Sequence, residues 1–191
     1  MTLHQLRQQQ SQCTKCPELC DTREQVVFGS GKEDALIVFI GEAPGSTEDK
    51  KGIPFCGMSG KIFEELLASI DLTREDVFIT NTIICRPPKN RNPKKVEITN
   101  CHERLRKTLE LIKPKVIVTI GNFATKVILG KTGITQIRGN IFTAEIDGNS
   151  YKVVPVLHPA NYLYNGRSPP IMEKMKNDFQ TIRKVIDGMN D

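Results

Sequence analysis

Apolar runs of strand length alternate with amphipathic helices along most of the 191-residue chain, and this alternation constrains the fold more than any other feature. The runs lie at residues 35–40, 77–80, 116–120 and 151–157, and the helical patterns at 61–70, 96–112, 122–129 and 170–187. Continuous apolar strands are typical of a parallel sheet that is buried on both faces. The pattern therefore predicts an α/β fold with a central, mostly parallel four-stranded sheet. An Asp147-Gly148 turn before the last strand predicts a hairpin there.

Length and charge narrow the class of protein. A chain of this length supports one hydrophobic core, so we predict a single domain over residues 1–191, with residues 1–34 as an N-terminal segment. No apolar run approaches the ~18 residues of a membrane span, and the polar start lacks the core of a signal peptide. We expect a cytoplasmic monomer without membrane contact. The net charge of +5 is compatible with nucleic-acid binding, but many proteins that bind none have a similar charge.

Polar residues follow the ends of the four predicted strands. Glu42 and Ala43 come after the first strand, Asn81 after the second, Asn122 after the third and His158 after the last. Ligands of such sheets bind beyond the carboxyl ends of the strands. These separate segments are therefore expected to form one site.

Two of the candidate residues suit the recognition of a flat polar ring. Phe55 is the only aromatic residue in the glycine-rich loop 41–60, which matches neither the P-loop nor the dinucleotide fingerprint. Its ring could stack on a ligand or be buried in the core. The amide of Asn81 could pair with N3–H and O4 of uracil, whereas cytosine reverses that pattern; alternatively, Asn81 caps a turn.

His158 is the candidate for stabilising negative charge. A histidine at the carboxyl end of a strand can donate a hydrogen bond to a developing anion. It could equally be a loop residue without a role.

Four of the six cysteines form two spaced pairs that could bind one metal centre: Cys13 with Cys16, and Cys85 with Cys101. Spacing alone does not distinguish zinc from a [4Fe–4S] cluster. Cys20 is a possible substitute ligand, and Cys56 is expected to be unligated.

Together these segments resemble the family 4 uracil-DNA glycosylases, the iron–sulfur branch of the uracil-DNA glycosylase superfamily. The resemblance depends on motifs that occur in the family's order from Cys13 to about Arg167: Gly41-Glu-Ala-Pro-Gly45 with Glu48-Asp49, Gly52-x-Pro-Phe55-x-Gly57, Thr80-Asn81, Cys85-Arg-Pro-Pro88 with Asn90-Arg91, Pro114-Lys115 with Thr119-x-Gly121, and His158-Pro159.

The resemblance implies a three-layer α/β/α fold and excision of uracil from single- or double-stranded DNA, with flipping of the base, as the first step of base excision repair. It implies a nucleoid-associated enzyme. It also implies a [4Fe–4S] cluster held by Cys13, Cys16, Cys85 and Cys101, two of which lie in the N-terminal segment.

The resemblance also implies roles for individual residues. Catalysis falls to His158, Glu42 and Asn81: His158 contacts uracil O2, Asn81 reads the base edge and Glu42 lines the pocket. Phe55 stacks on the base, Glu48 lies near its C5 side, Ala43 contributes backbone N–H, and Asn90 is a second loop asparagine that affects activity. Residues 160–167 form a loop that enters the duplex, with Leu163 as the wedge and Arg167 at the DNA.

Three features depart from the family's pattern or leave a question. Cys56, Met58-Ser59 and the additional Cys20 are atypical. The best-known family of the superfamily has Asp at the position of Ala43, so water activation here would be weak or would come from Glu42 or Asp49. A binding module without catalysis and a nucleotide-processing enzyme are the alternative functions.

Overall fold

A six-stranded mixed sheet forms the centre of the computed structural model, which describes residues 1–189. In chain order its strands are β1 (Ser30–Gly31), β2 (Ile37–Gly41), β3 (Phe78–Asn81), β4 (Val116–Ile120), β5 (Phe142–Ile146) and β6 (Asn149–Val156). The spatial order is β1-β3-β2-β4-β6-β5. The four central strands are parallel, and β1 and β5 pair antiparallel at the two edges.

The predicted α/β fold is confirmed, but the sheet has six strands rather than four. Both additional strands lie at edges, where one polar face is tolerated and the apolar signal is weak. β1 has only two residues, and a Cβ atom at Gly31 would lie 1.9 Å from the carbonyl oxygen of Val77. β5 forms the predicted hairpin with β6 across Asp147 and Gly148, which both have positive φ.

Helices cover both faces of this sheet. They are α1 (Leu3–Ser11), α2 (Pro17–Thr22), α3 (Ser46–Lys51), α4 (Met58–Ala68), α5 (Lys95–Ile112), α6 (Gly121–Leu129), α7 (Ile134–Ile137), α8 (Ala160–Tyr164) and α9 (Pro169–Met189). The four helices predicted from periodicity correspond to α4, α5, α6 and α9, each with ends within three residues of the prediction.

Two apolar layers explain why the central strands are apolar throughout. Phe39 on β2 faces a core shared with α4, α8 and α9, whereas the next residues on either side, Val38 and Ile40, face a core shared with α1, α5 and α6. Successive strand residues point to opposite faces, so a strand between two helical layers needs apolar residues at every position.

Three segments that we predicted as loops contain short helices. The glycine-rich loop contains α3, residues 160–167 contain α8, and residues 86–93 contain a 3₁₀ turn at Pro88–Asn90. Helices of four to six residues are not stable by themselves and depend on packing against the rest of the protein. Their sequences therefore lack the long amphipathic repeat on which a prediction relies.

The N-terminal segment is packed against the sheet. Thr2 caps α1 through a reciprocal capping box with Gln5, and Leu3 and Leu6 are buried beside α5. Among residues 1–189, no helix combines the length and apolar character that crossing a membrane requires.

Candidate active site

A pocket opens at the carboxyl ends of β2, β3 and β6. Six of the predicted site residues line it together with Ser59, which the sequence had not indicated: Glu42, Ala43, Glu48, Phe55, Asn81 and His158. The topology brings these residues together because β2, β3 and β6 are parallel and end at the same edge of the sheet.

His158 is held as a neutral hydrogen-bond donor. Its Nδ1 accepts a hydrogen bond of 3.0 Å from the backbone N–H of Ala160. The proton of the neutral ring therefore lies on Nε2. Desolvation lowers the pKa of His158 from 6.5 to about 4. Near neutral pH the side chain consequently offers one N–H group and carries no charge.

Phe55 both lines the pocket and packs against the core. Its ring centroid lies 5.5 Å from that of Phe63 and 5.8 Å from that of His158. Its backbone has a positive φ of 49°, which is unfavourable for phenylalanine. Arg74 supports this conformation, since its Nη1 donates to the carbonyl oxygen of Pro54 at 2.9 Å. A ring fixed in this way suits stacking.

Asn81 is buried at the end of β3, beside Phe55. Within residues 1–189 its side-chain amide has no hydrogen-bond partner, so both its donor and its acceptor are available to a ligand. Gly41 makes room for both residues. A Cβ atom at Gly41 would lie 2.5 Å from Asn81 Oδ1 and 2.6 Å from Phe55 Cζ, so any other residue would have to displace one of these side chains.

Two carboxylates line the pocket, Glu42 and Glu48. Burial raises the pKa of Glu42 above its ordinary value of 4.5. Asp49, the other carboxylate considered for water activation, is buried elsewhere. Its oxygens accept the backbone N–H groups of Glu24, at 3.0 and 3.1 Å, and of Gln25, at 3.4 Å. Asp49 thus fixes the N-terminal segment, and it is not among the residues that line the pocket.

Besides Asp49, four predicted residues lie outside the pocket lining. Asn122, which follows β4, instead accepts a hydrogen bond of 2.9 Å from the backbone N–H of Ile134 through its Oδ1. Asn90 Oδ1 accepts a hydrogen bond of 2.8 Å from Arg86 Nε. Leu163 is half-buried on α8 and packs against the core, whereas the neighbouring Tyr164 is 87% exposed and Arg167 is exposed. The prediction of Leu163 as the wedge stays a prediction; in this structure α8 turns that side chain partly toward the core. Tyr164 is the large side chain that this segment presents.

The four paired cysteines line a second cavity, between the N-terminal segment, the residues after β3, and α5. Cys85 is buried, and desolvation raises the pKa of its thiol to about 11. Burial also raises the pKa of Cys16. Cys20 does not line this cavity in residues 1–189; its thiol donates to the carbonyl oxygen of Cys13 at 3.4 Å.

Nitrogen donors contact three of the four sulfurs. Arg23 Nη1 lies 3.1 Å from Cys85 Sγ, Asn100 Nδ2 lies 3.6 Å from Cys16 Sγ, and Arg104 Nη2 lies 3.6 Å from Cys101 Sγ. Such donors stabilise thiolates and therefore suit a metal centre. Arg104 was not predicted as a site residue, although a charged residue one turn from Cys101 on the inner face of α5 is an unusual feature.

The spacing of the sulfurs bears on which metal centre fits. Within residues 1–189, no three Cys, His, Asp or Glu side chains are close enough together to bind a single metal ion. Tetrahedral zinc has Zn–S bonds of about 2.3 Å and needs its sulfurs roughly 3.8 Å apart. Four thiols around one cavity are a donor set that would also suit a larger group, such as a four-iron cluster.

The chain is thus an α/β domain with a pocket lined by Phe55, Asn81 and His158 at the strand ends and a second cavity lined by four cysteines. The model of the Uracil DNA glycosylase superfamily matches residues 28–183. The chain therefore belongs to the uracil DNA glycosylase superfamily.

Curated relatives identify the branch. A type-4 uracil-DNA glycosylase of Archaeoglobus fulgidus is 44% identical over 91% of this chain and 87% of the relative. Those of Sulfurisphaera tokodaii and Thermotoga maritima are 40% and 41% identical, over 96% and 91% of this chain and 84% and 89% of the relatives. The resemblance seen in the motifs is confirmed: within the superfamily, the chain is a member of the type-4 uracil-DNA glycosylases.

Proposed function

We propose that the chain is a monofunctional glycosylase that hydrolyses the N-glycosidic bond of uracil in DNA and leaves an abasic site. The observation that carries this proposal is the neutral His158, which offers Nε2–H in the same pocket as the free amide of Asn81 and the ring of Phe55. A base reader, a stacking ring and a donor for the leaving group are thus combined. This reaction is the first step of base excision repair.

Recognition requires a flipped base, since the pocket cannot accept one that remains stacked in a duplex. Asn81 would donate to uracil O4 through its amide nitrogen and accept N3–H through its amide oxygen. Cytosine presents the reverse pattern and would leave buried groups unpaired, at a cost of roughly 1–3 kcal/mol. Phe55 would stack on the face of the base, and Glu48 would lie at the pocket wall near C5.

Bond breaking puts negative charge on uracil and positive charge on the sugar. His158 Nε2–H would donate to uracil O2 and stabilise that anion, with backbone N–H near Ala43 as a second donor. Loss of one such donor typically costs about 10²–10³ in rate. The neutral ring presents this donor in a fixed direction, because Nδ1 accepts the Ala160 N–H and the proton therefore lies on Nε2.

Water must then attack the cationic sugar. Ala43 has no group that can activate it. Glu42 is the carboxylate that we assign to this step, because it lines the pocket and Asp49 does not. Its pKa, raised by burial, makes it a better base than an ordinary glutamate.

The DNA would lie across α8 and the pocket mouth. Tyr164 projects from α8 and is the residue that we assign to the space left by the flipped base, in place of Leu163. Arg167 is exposed three residues further on and could contact phosphate. The net charge of +5 favours approach to DNA, whether single- or double-stranded.

We also propose that Cys13, Cys16, Cys85 and Cys101 hold a [4Fe–4S] cluster. When bound, this group supplies cross-links between the N-terminal segment, the residues after β3, and α5. The gathering of the four cysteines around one cavity and the contacts from Arg23, Asn100 and Arg104 support it.

Excision is tested by incubating the protein with uracil-containing DNA and measuring alkali-labile abasic sites, with thymine- and cytosine-containing strands as controls. We expect cleavage only at uracil, and about 10²–10³-fold slower excision by His158→Ala. Intact uracil strands, or full activity of His158→Ala on single strands, would contradict the proposal. Iron analysis and an absorbance shoulder near ~400 nm distinguish the cluster from zinc.

A further inference from the structure

Arg104 is a buried cation between the cysteine cavity and the active site. It lies on α5, one turn after Cys101, and its exposed fraction is 2%. Its Nη2 donates to the carbonyl oxygens of Asn81 at 2.8 Å and Thr82 at 3.1 Å, and its Nη1 donates to Thr80 Oγ1 at 3.2 Å. One guanidinium thus holds three consecutive residues at the end of β3.

These contacts fix the direction of the peptide that carries the Asn81 side chain. Thr80 is held from its other side as well, because its hydroxyl donates to the carbonyl oxygen of Phe28 at 2.8 Å. The Asn81 amide has no partner of its own in residues 1–189, so the backbone beneath it determines where it points. Small displacements of such groups have large effects on rate.

The charge of Arg104 lacks an ordinary counterion. In residues 1–189 its hydrogen-bond acceptors are three oxygens that carry no charge and the sulfur of Cys101, at 3.6 Å; no carboxylate is among them. Its Nε is buried without a partner. A buried cation is costly unless a negative charge lies nearby. A metal-bound thiolate at Cys101 would be that charge.

We propose that Arg104 is a positioning residue that holds Asn81 in its base-reading orientation and is itself held by the Cys101 thiolate. The inference rests on the proposed function for the role of Asn81, but the contact between Arg104 and the cysteine does not depend on it. Arg104 thereby couples the metal centre to base recognition.

The first test is a double-mutant cycle on single-turnover excision of uracil. Arg104→Gln should lower the rate by about 10–100-fold, as for residues that orient a site through another residue. The same change in an Asn81→Ala background should have little further effect. The control is Arg106→Gln on the same helix. Arg106 is partly exposed and pairs with Asp147, away from the pocket and the cysteines, so this change should leave the rate unchanged.

The second test is the midpoint potential of the reconstituted metal centre, with iron content and thermal unfolding measured on the same samples. Removing a positive hydrogen-bond donor from a sulfur should make the potential of Arg104→Gln more negative, whereas Arg106→Gln should match the wild type. If Arg104→Gln does not fold, Arg104→Lys is used instead. Lysine keeps the positive charge but cannot make all three contacts to Thr80, Asn81 and Thr82, so the midpoint potential should be retained and the excision rate should fall.

The outcomes separate the two proposals. If Arg104→Gln lowers the rate equally in the wild-type and Asn81→Ala backgrounds, Arg104 does not position Asn81. If the midpoint potential is unchanged, Cys101 does not hold Arg104. Either result would overturn this proposal while leaving uracil excision intact. If the wild-type protein excises no uracil, or if Asn81→Ala is fully active, the proposed function of the pocket or of Asn81 fails; the potential then tests the Arg104–Cys101 contact alone.

Discussion

Acid titration tests the state of His158 directly. Its pKa is lowered from 6.5 to about 4 by desolvation, a difference of roughly 3 kcal/mol against protonation. The N–H of Ala160 opposes protonation further, because Nδ1 accepts that hydrogen bond. A proton on Nδ1 would face the N–H group, and the ring would have to leave its position. We therefore expect protonation to reduce excision, although the imidazolium is itself a donor.

The assay is kcat/KM for excision from a single-stranded uracil oligonucleotide between roughly pH 4 and 8, since this parameter reports the groups of the free enzyme. Two groups can produce the acid limb: His158, with a pKa of about 4, and Glu42, with a pKa raised above 4.5 by burial. The wild-type limb should follow Glu42. In Glu42→Gln the residual activity should decline only near pH 4.

A histidine that titrates normally would give a different profile. If Glu42→Gln shows an acid limb near pH 6.5 that is lost in His158→Ala, then His158 is protonated with its ordinary pKa and the account of the site is refuted. Stability gives a second readout. Because the folded pKa lies below the unfolded one, stability is complete above about pH 6.5 and falls by up to roughly 3 kcal/mol as the pH approaches 4. His158→Ala should lack this component in urea unfolding.

Substitutions at Gly41, Tyr164 and Cys20 test three further features of the structure. Gly41→Ala should slow excision at least about tenfold, because the new Cβ atom would displace the side chains of Asn81 and Phe55. Gly45→Ala is the control and should match the wild type, because the nearest atom to its Cβ would lie 3.6 Å away. Equal rates for the two variants would contradict this reasoning. Tyr164→Ala should slow excision from duplex DNA more than from single strands, without changing Tm. Leu163→Ala should instead lower the free energy of unfolding by about 1–2 kcal/mol. If Leu163→Ala selectively slows duplex excision and Tyr164→Ala does not, Leu163 is the wedge. Cys20→Ser should retain iron and the absorbance near ~400 nm, and loss of both would make Cys20 a ligand.

The four parallel strands at the centre of the sheet could be predicted because they lie between two helical layers. Val38 and Phe39 face different cores, yet both must be apolar. A continuous apolar run of this short length is typical of a strand buried on both faces. The same topology places Glu42, Asn81 and His158 at strand ends, so their convergence followed from the parallel order. The hairpin at Asp147-Gly148 was predictable because its turn chemistry is local.

The remaining features depend on packing and hydrogen bonds that cannot be predicted from a local sequence pattern. Whether Leu163 or Tyr164 faces outward is decided by a helix of five residues that exists only through packing. The N–H group that fixes the tautomer of His158 belongs to the backbone of Ala160, and any residue except proline could supply it. Asp49 could be mistaken for a catalytic group because the loop that uses its carboxylate lies about 25 residues earlier in the chain.

The active site and the cysteine cavity are two ends of one short stretch of backbone. Asn81 reaches the pocket, and Cys85, four residues later, reaches the cavity. Between them, the Thr82 hydroxyl and the Ile83 N–H donate to the carbonyl oxygen of Glu42, at 2.6 and 3.3 Å, and the carbonyl oxygen of Ile84 accepts the N–H of Val27 at 2.7 Å. These hydrogen bonds tie Thr82 and Ile83 to the residue that follows β2, and Ile84 to the N-terminal segment. The proposed metal centre, by holding Cys85, would therefore also restrict Asn81, and the cysteines would then take part in the proposed selection of the base.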